Sequence, residues 1–185
     1  MADELRILGI AGSLRDGSYN RAALRAAQAL APAGIRVDVF DIKDLPPFND
    51  DLVPHPPQAV VDLKASVRAA DALLFVTPEY NYSIPGVLKN AIDWGSRPYG
   101  NSAWEGKAAA IMGASTGSIG TARAQYHLRQ MFVFLDVHPI NKPEVMIGHA
   151  AQKFDAQGNL TDGKTQAFIR QLLENLAAWS RQLKK

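Results

Sequence analysis

LRILGIAGSLRDGSYNRAALRAAQAL, residues 5–30, decides how this chain folds. An apolar run, LRILGIA, reads as a strand, and RAALRAAQAL reads as a helix. The turn between them, GSLRDGSYN (12–20), is rich in Gly and Ser and carries an arginine. Such a turn gathers backbone N–H groups, hydroxyls and a guanidinium, the donors that suit a phosphate.

Outward from this unit, apolar runs alternate with helical patterns to the end of the chain, which predicts βαβ units and a parallel sheet. Strands are expected near 5–11, 35–40, 72–77, 107–114 and 136–146, the last broken at Pro139 or Pro143. In SIPGVLKNAIDW, residues Ile84, Val87, Leu88, Ala91 and Ile92 share one helix face, and Pro85 suits the first turn. A final helix over 163–183 repeats the pattern with Ile169, Leu172, Leu173 and Leu176. ALLFV (72–76) and AAAIM (108–112) are apolar throughout, as strands covered on both faces are, whereas IRVDVF (35–40) is interrupted by Arg36 and Asp38 and belongs at an edge. The fold class expected is α/β, a doubly wound five-stranded sheet of order 2-1-3-4-5. Its switch point lies between strands 1 and 3, and ligands collect beyond their carboxyl ends. DLPPFNDDLVPHPP (44–57) reads as a long surface connection.

The chain has 185 residues, 47% hydrophobic and 21% charged, with 20 basic against 18 acidic side chains, which fits one globular domain spanning 1–185. A net charge of +2 without a basic block gives no support for nucleic-acid binding. The absence of cysteine excludes disulfides, thiolate metal sites and cysteine nucleophiles. The first residues, MADELRILG, lack the pattern of a secretory signal, and no apolar run approaches the roughly 20 residues of a membrane span, so a cytoplasmic protein is expected.

The first loop resembles a Walker A motif only in its glycines. Ser18 and Tyr19 stand where the lysine and the Ser/Thr belong, which argues against nucleoside triphosphate chemistry. Gly9, Gly12 and Gly17 also miss the dinucleotide fingerprint. What remains suits one terminal phosphate without a metal: Ser13, Arg15, Ser18, Asn20 and the N–H groups of a helix start at Tyr19. The competing reading is that Ser18 or Asn20 only caps the helix. In the second loop, TPEYNYSIPG, the residues Pro78, Glu79, Tyr80, Asn81, Tyr82 and Ser83 line the same crevice, and the tyrosines suit the border of a flat heteroaromatic ring. These residues also serve simple packing and capping. The third loop, GASTGSIG (113–120), is expected to point N–H groups into the crevice from a helix N-terminus. Gly113-Ala-Ser115-Thr-Gly117 is formally a hydrolase nucleophile elbow, with Asp136 and His138 or His149 following. That reading lacks an oxyanion loop and gives the first loop no task. His55, His127, His138 and His149 have no metal-ligand spacing, and no metal is expected. Tyr126, Arg129 and residues 131–135 lie on a helical stretch that packs or forms an interface.

G-S-L-R-x-G-S-Y-N at 12–20, P-E-Y-N-Y-S-I-P-G-V-L-K-N-A-I-D-W at 78–94 and S-T-G at 115–117 together resemble the NAD(P)H-dependent FMN reductase family, in particular its bacterial quinone and chromate reductase branch. The resemblance implies a flavodoxin-like three-layer sandwich with non-covalent FMN and NAD(P)H as a transient donor. Ser13, Arg15, Ser18 and Asn20 would hold the phosphate. Pro78, Glu79, Tyr80 and Asn81 would border the isoalloxazine ring, and Ser115, Thr116 and Gly117 would approach its pyrimidine end. It also implies homodimers or homotetramers with helix 85–94 near the interface, and subunit contacts through Arg123, Tyr126 and Glu144. On this resemblance the chemistry would be flavin-based, with no catalytic side chain, and quinones, chromate or azo compounds would be acceptors. A flavodoxin-type electron carrier is the other flavin reading; such carriers are strongly acidic, and this chain is not.

Overall fold

A computed structural model describes residues 4–184. Five strands were expected and six form among the described residues: β1 (Leu5–Ala11), β2 (Ile35–Phe40), β3 (Ala72–Val76), β4 (Ala108–Ala114), β5 (His138–Pro139) and β6 (Val145–Ile147). All pair in parallel, in the order β2-β1-β3-β4-β5, with β6 pairing β4 further along. The fifth position of the sheet is thus shared by two short strands. His138 and Pro139 lie beside Ala108 and Ala109, and Val145 to Ile147 lie beside Met112 to Ala114. The interruption falls between the two prolines named from the sequence. Pro143 has no N–H to give the ladder, and the chain leaves the sheet around it.

Among the described residues five α-helices cover the two faces. On one, α1 (Tyr19–Ala29) and α5 (Gly163–Leu183) bury Leu24, Ile169, Leu172, Leu173 and Leu176 against Ile7, Leu74, Val76, Ala110 and Met112. On the other, α2 (Gln58–Ala69), α3 (Gly86–Gly95) and α4 (Ala122–Leu135) bury Leu63, Val67, Leu88, Ile92 and Phe132 against Leu8, Ile10, Leu73, Phe75 and Ile111. The alternation along β1, Ile7 to one layer and Leu8 to the other, is the strand period of two at work. β3 and β4 are buried at every residue, whereas β2 is an edge with Arg36 and Asp38 paired outside it at 2.9 Å.

The 44–57 connection is more firmly attached than its composition suggests. Phe48 packs edge-on against Trp94 at 4.9 Å, and both Asn90 and Trp94 of α3 donate to the Pro46 carbonyl, at 2.9 and 2.8 Å. This segment clamps the outside of the helix that follows the second loop.

Candidate functional site

The loops after β1, β3 and β4 are neighbours because their strands are. The ladder continues past the strand ends. Gly12 N–H donates to Val76 O at 2.9 Å, Thr77 N–H to Met112 O at 3.0 Å, and Ser115 N–H to Ile147 O at 2.9 Å. Each loop is thereby fixed to the next at the carboxyl edge of the sheet, the crevice expected from the switch point.

In the first loop Ser13 and Ser18 are buried, while Arg15 is exposed and its guanidinium lies over Gly17, 3.2 Å from where a Cβ would stand. Ser18 is the N-cap of α1, its Oγ accepting from the N–H groups of Asn20 and Arg21 at 3.2 and 3.4 Å. Both lone pairs of that oxygen are used and its O–H is left to donate, so capping does not use up the donor that an anion would need. Among the described residues the N–H groups of Ser13, Leu14, Asp16, Gly17 and Tyr19 meet no acceptor. Arg15 joins no ion pair there, unlike Arg21, which is held by Asp41 at 3.2 Å. A cluster of free N–H groups with a serine O–H and an unpaired guanidinium is the donor set of a dianion.

Asn20 plays another part. Its side-chain N–H donates to Ala114 O at 2.9 Å and its side-chain oxygen accepts from Ala114 N–H at 2.8 Å. The amide expected at the phosphate is a staple joining the first loop to the root of the third. Tyr19 leans its ring on Phe154 at 5.5 Å, so what it offers the crevice is its N–H.

In the second loop Pro78 is buried and Tyr80 and Tyr82 stand out at 53% and 66% exposure. Tyr80 and Ser83 exchange two 3.0 Å backbone hydrogen bonds across Asn81 and Tyr82, which both have positive φ, +51° and +67°. This is a two-residue hairpin turn of type I′. Glu79 does not face the crevice. Its Oε2 accepts from the N–H groups of Arg123 and Ala124 at 3.0 and 3.2 Å, and its Oε1 lies 2.5 Å from Arg123 Nη2.

The third loop departs from expectation in the same place. The N-terminus of α4, read from the sequence as an anion site, is already filled by Glu79, and Thr121 at the cap position makes no side-chain cap. The loop is braced from behind by the segment after β6: Ala150 N–H donates to Ser115 O and His149 N–H to Gly117 O, both at 3.0 Å. The N–H groups of Thr116 and Gly117 meet no acceptor among the described residues. Gly113 must be glycine, since a Cβ there would lie 1.8 Å from Thr121 Oγ1 and 2.4 Å from Thr77 O. No sequence signal distinguishes that glycine from its neighbours in the loop.

The hydrolase elbow does not assemble. Ser115 donates its O–H to Gly117 O at 3.2 Å, and Asp136 and His138, 3.4 Å apart, sit beside the start of β4, a strand length of roughly 20 Å from Ser115. His149 lies near the loop, but Asp136 is at the other end of the sheet. No cluster of metal-ligating side chains is present among the described residues.

A family model described as NADPH-dependent FMN reductase matches residues 5–152. An NAD(P)H-dependent FMN reductase of Pseudomonas aeruginosa is 57% identical over the full length of both chains. A quinone reductase of Pseudomonas putida is 45% identical over 97% of this chain and 96% of its own. The solved structure of a flavoenzyme NAD(P)H:(acceptor) oxidoreductase from Paracoccus denitrificans superposes with a TM-score of 0.89 at 38% identity, covering 96% of this chain and 98% of its own.

Proposed function

Because the chain belongs to the NADPH-dependent FMN reductase family, we propose that it carries electrons from NAD(P)H through bound FMN to a quinone. The observation that supports this reading is that three loops are fixed side by side at the carboxyl edge of the sheet, with N–H groups of the first and third that meet no acceptor among the described residues, the guanidinium of Arg15 on the first and two exposed tyrosines on the second. When bound, FMN supplies the redox chemistry between nicotinamide and acceptor; the protein supplies binding, orientation and electrostatics.

Arg15, Ser13, the O–H of Ser18 and the free N–H groups of the first loop would hold the phosphate. Pro78, Tyr80, Asn81 and Ser83 would border the ring, with Glu79 supporting them from behind. The N–H groups of Thr116 and Gly117 would face the ring's pyrimidine end, where donors favour a gain of negative charge, and Ser115, whose O–H is given to Gly117 O, would shape that turn. Asn20 would act through the loops it joins. No side chain need form a bond to substrate, and donor and acceptor would take turns at the open side of the crevice. Chromate and azo compounds would be accepted there as secondary acceptors. Reduction at the expense of NAD(P)H belongs in the cytoplasm on this reading, and no described helix is long and apolar enough to cross a membrane.

The outer face of α4 supports self-association: Val133 and Phe134 are 84% and 75% exposed, an apolar pair that a subunit would cover. Dimers, paired into tetramers, are the expected state, and Val133→Lys with Phe134→Glu should shift sedimentation toward the monomer.

The test of function is the visible spectrum of the purified protein. A yellow protein that bleaches with NADPH without air, and recovers its colour with a quinone, supports the assignment. A colourless protein that FMN does not reconstitute overturns it, and a yellow one that fails to sustain NAD(P)H oxidation with a quinone is a carrier.

A further inference from the structure

The turn Tyr80–Ser83 is built against its own preference. A type I′ turn asks for positive φ at both central residues, and Asn-Gly is the pair that supplies it without cost. Here the pair is Asn81-Tyr82, and a tyrosine at φ +67° is unfavourable by itself. The surroundings hold it there. The Arg123 guanidinium lies 3.7 Å from the centroid of the Tyr82 ring and 2.5 Å from Glu79 Oε1. Glu79 is bound in turn to the first N–H groups of α4, at 3.0 and 3.2 Å. One helical turn on, His127 Nδ1 is 3.1 Å from Ser83 Oγ. The residue before the turn, its second central residue and its last residue are thus all fastened to α4. The Nε of Arg123 is buried without a partner among the described residues, a loss accepted in a guanidinium whose place is fixed by the pair and the stack.

We propose that Arg123 is a positioning residue for the flavin ring: stacked on Tyr82 and paired with Glu79, it holds the 80–83 turn in the shape that borders the crevice. A glycine at 82 would make a better turn but would give Arg123 nothing to stack on. The inference rests on the reading that the ring of FMN lies against this turn. It goes beyond that reading by assigning affinity for the ring to a residue of α4 outside the three loops.

Riboflavin and FMN separate the ring from the phosphate as probes. Both are titrated, by quenching of flavin fluorescence, into deflavinated wild type, Arg123→Lys, Tyr82→Gly, the double variant and Arg15→Ala. Arg123→Lys keeps the charge beside Glu79 and loses the flat stack. Tyr82→Gly loses the stack while relieving the backbone, so the apoprotein should melt no lower than wild type. Each should weaken FMN and riboflavin by the same factor, about tenfold. The double variant should be no worse than the weaker single, because both remove one stack. Arg15→Ala should weaken FMN alone. Wild-type affinity for both flavins in Tyr82→Gly and Arg123→Lys would overturn the positioning role while leaving the flavin site intact. Wild type that takes up neither flavin would overturn the functional reading, and the inference with it.

Discussion

Ser18 shows how little of a site must be dedicated to it. One hydroxyl accepts from two N–H groups of α1 and keeps a hydrogen to give away, so the observed cap leaves room for the phosphate role proposed for it. They come apart by substitution. Ser18→Ala removes cap and donor together and should cost about 1 kcal/mol of stability along with FMN affinity. Ser18→Gly should cost only a few tenths of a kcal/mol, because glycine is tolerated at the cap, yet lose as much FMN affinity as Ser18→Ala. Thermal melts and FMN titration of the pair check this, and FMN affinity that follows stability in both variants would leave Ser18 as a cap alone. Asn20 carries the opposite lesson. An amide at a helix start is equally legible as a cap or a ligand, and its true partners on Ala114 lie 94 positions away in the sequence. Glu79 misleads for the same reason: a carboxylate in a polar loop reads as lining, until Arg123 arrives from α4. Local spacing names the residues of a site; it does not say which of them face inward.

At the scale of elements the sequence is a better guide. β1, β2, β3 and β4 fall where uninterrupted or alternating apolar runs put them, and the edge position of β2 follows from Arg36 and Asp38 alone. The split of the fifth strand was legible only as a break near two prolines, because which short piece pairs with which end of β4 is settled across the sheet. The hold of α3 on the 44–57 segment was not legible at all, since a Pro-rich stretch gives no periodicity to read. The junction of the second and third loops is similar, a contact between elements rather than a property of either. Gly113→Ala tests how tight it is. The added methyl meets Thr121 Oγ1 and the Thr77 carbonyl, and the Thr77 backbone is tied to β4 through its N–H, which donates to Met112 O at 3.0 Å. The expected loss is about 3 kcal/mol or more, toward the severe end for overpacking. Thr121→Ala should not restore it, since the backbone contact at 2.4 Å remains. A melt of the double variant at the wild-type temperature would show that the side chain alone sets the limit.

Across the whole molecule, the candidate site and a polar cluster that ties distant chain segments together lie at opposite edges of the sheet. At the amino edge Asp71, just before β3, accepts from Arg6 N–H at 2.7 Å and pairs with Lys184 at the end of α5, while its carbonyl accepts from Ser180 at 2.8 Å. Lys107, entering β4, donates to Arg68 O and Ala70 O at the end of α2, at 3.0 and 2.6 Å. Partial burial pushes the Asp71 carboxyl up, but the hydrogen bonds from Lys184 and Arg6 N–H with the charges of Lys184 and Lys107 outweigh it, and its pKa lies below the ordinary carboxylate range. A carboxylate depressed on folding contributes stability that is complete above its unfolded pKa, about 3.9, and is lost as pH falls through the folded value. Asp71→Asn should therefore cost stability at pH 6–8, about 1 kcal/mol after allowance for the solvent around Lys184. The gap from wild type should begin to close as pH falls below about 4 and vanish once pH has passed through the lowered folded value, where both proteins carry a neutral group at 71. Because the site is at the far edge, FMN affinity at pH 7 should be the same in the two proteins. Denaturant unfolding at several pH values, with FMN titration at one, measures both halves. A stability gap independent of pH would mean that Asp71 works by shape and hydrogen bonding rather than charge, and a loss of FMN affinity would show that the amino edge of the sheet is coupled to the crevice.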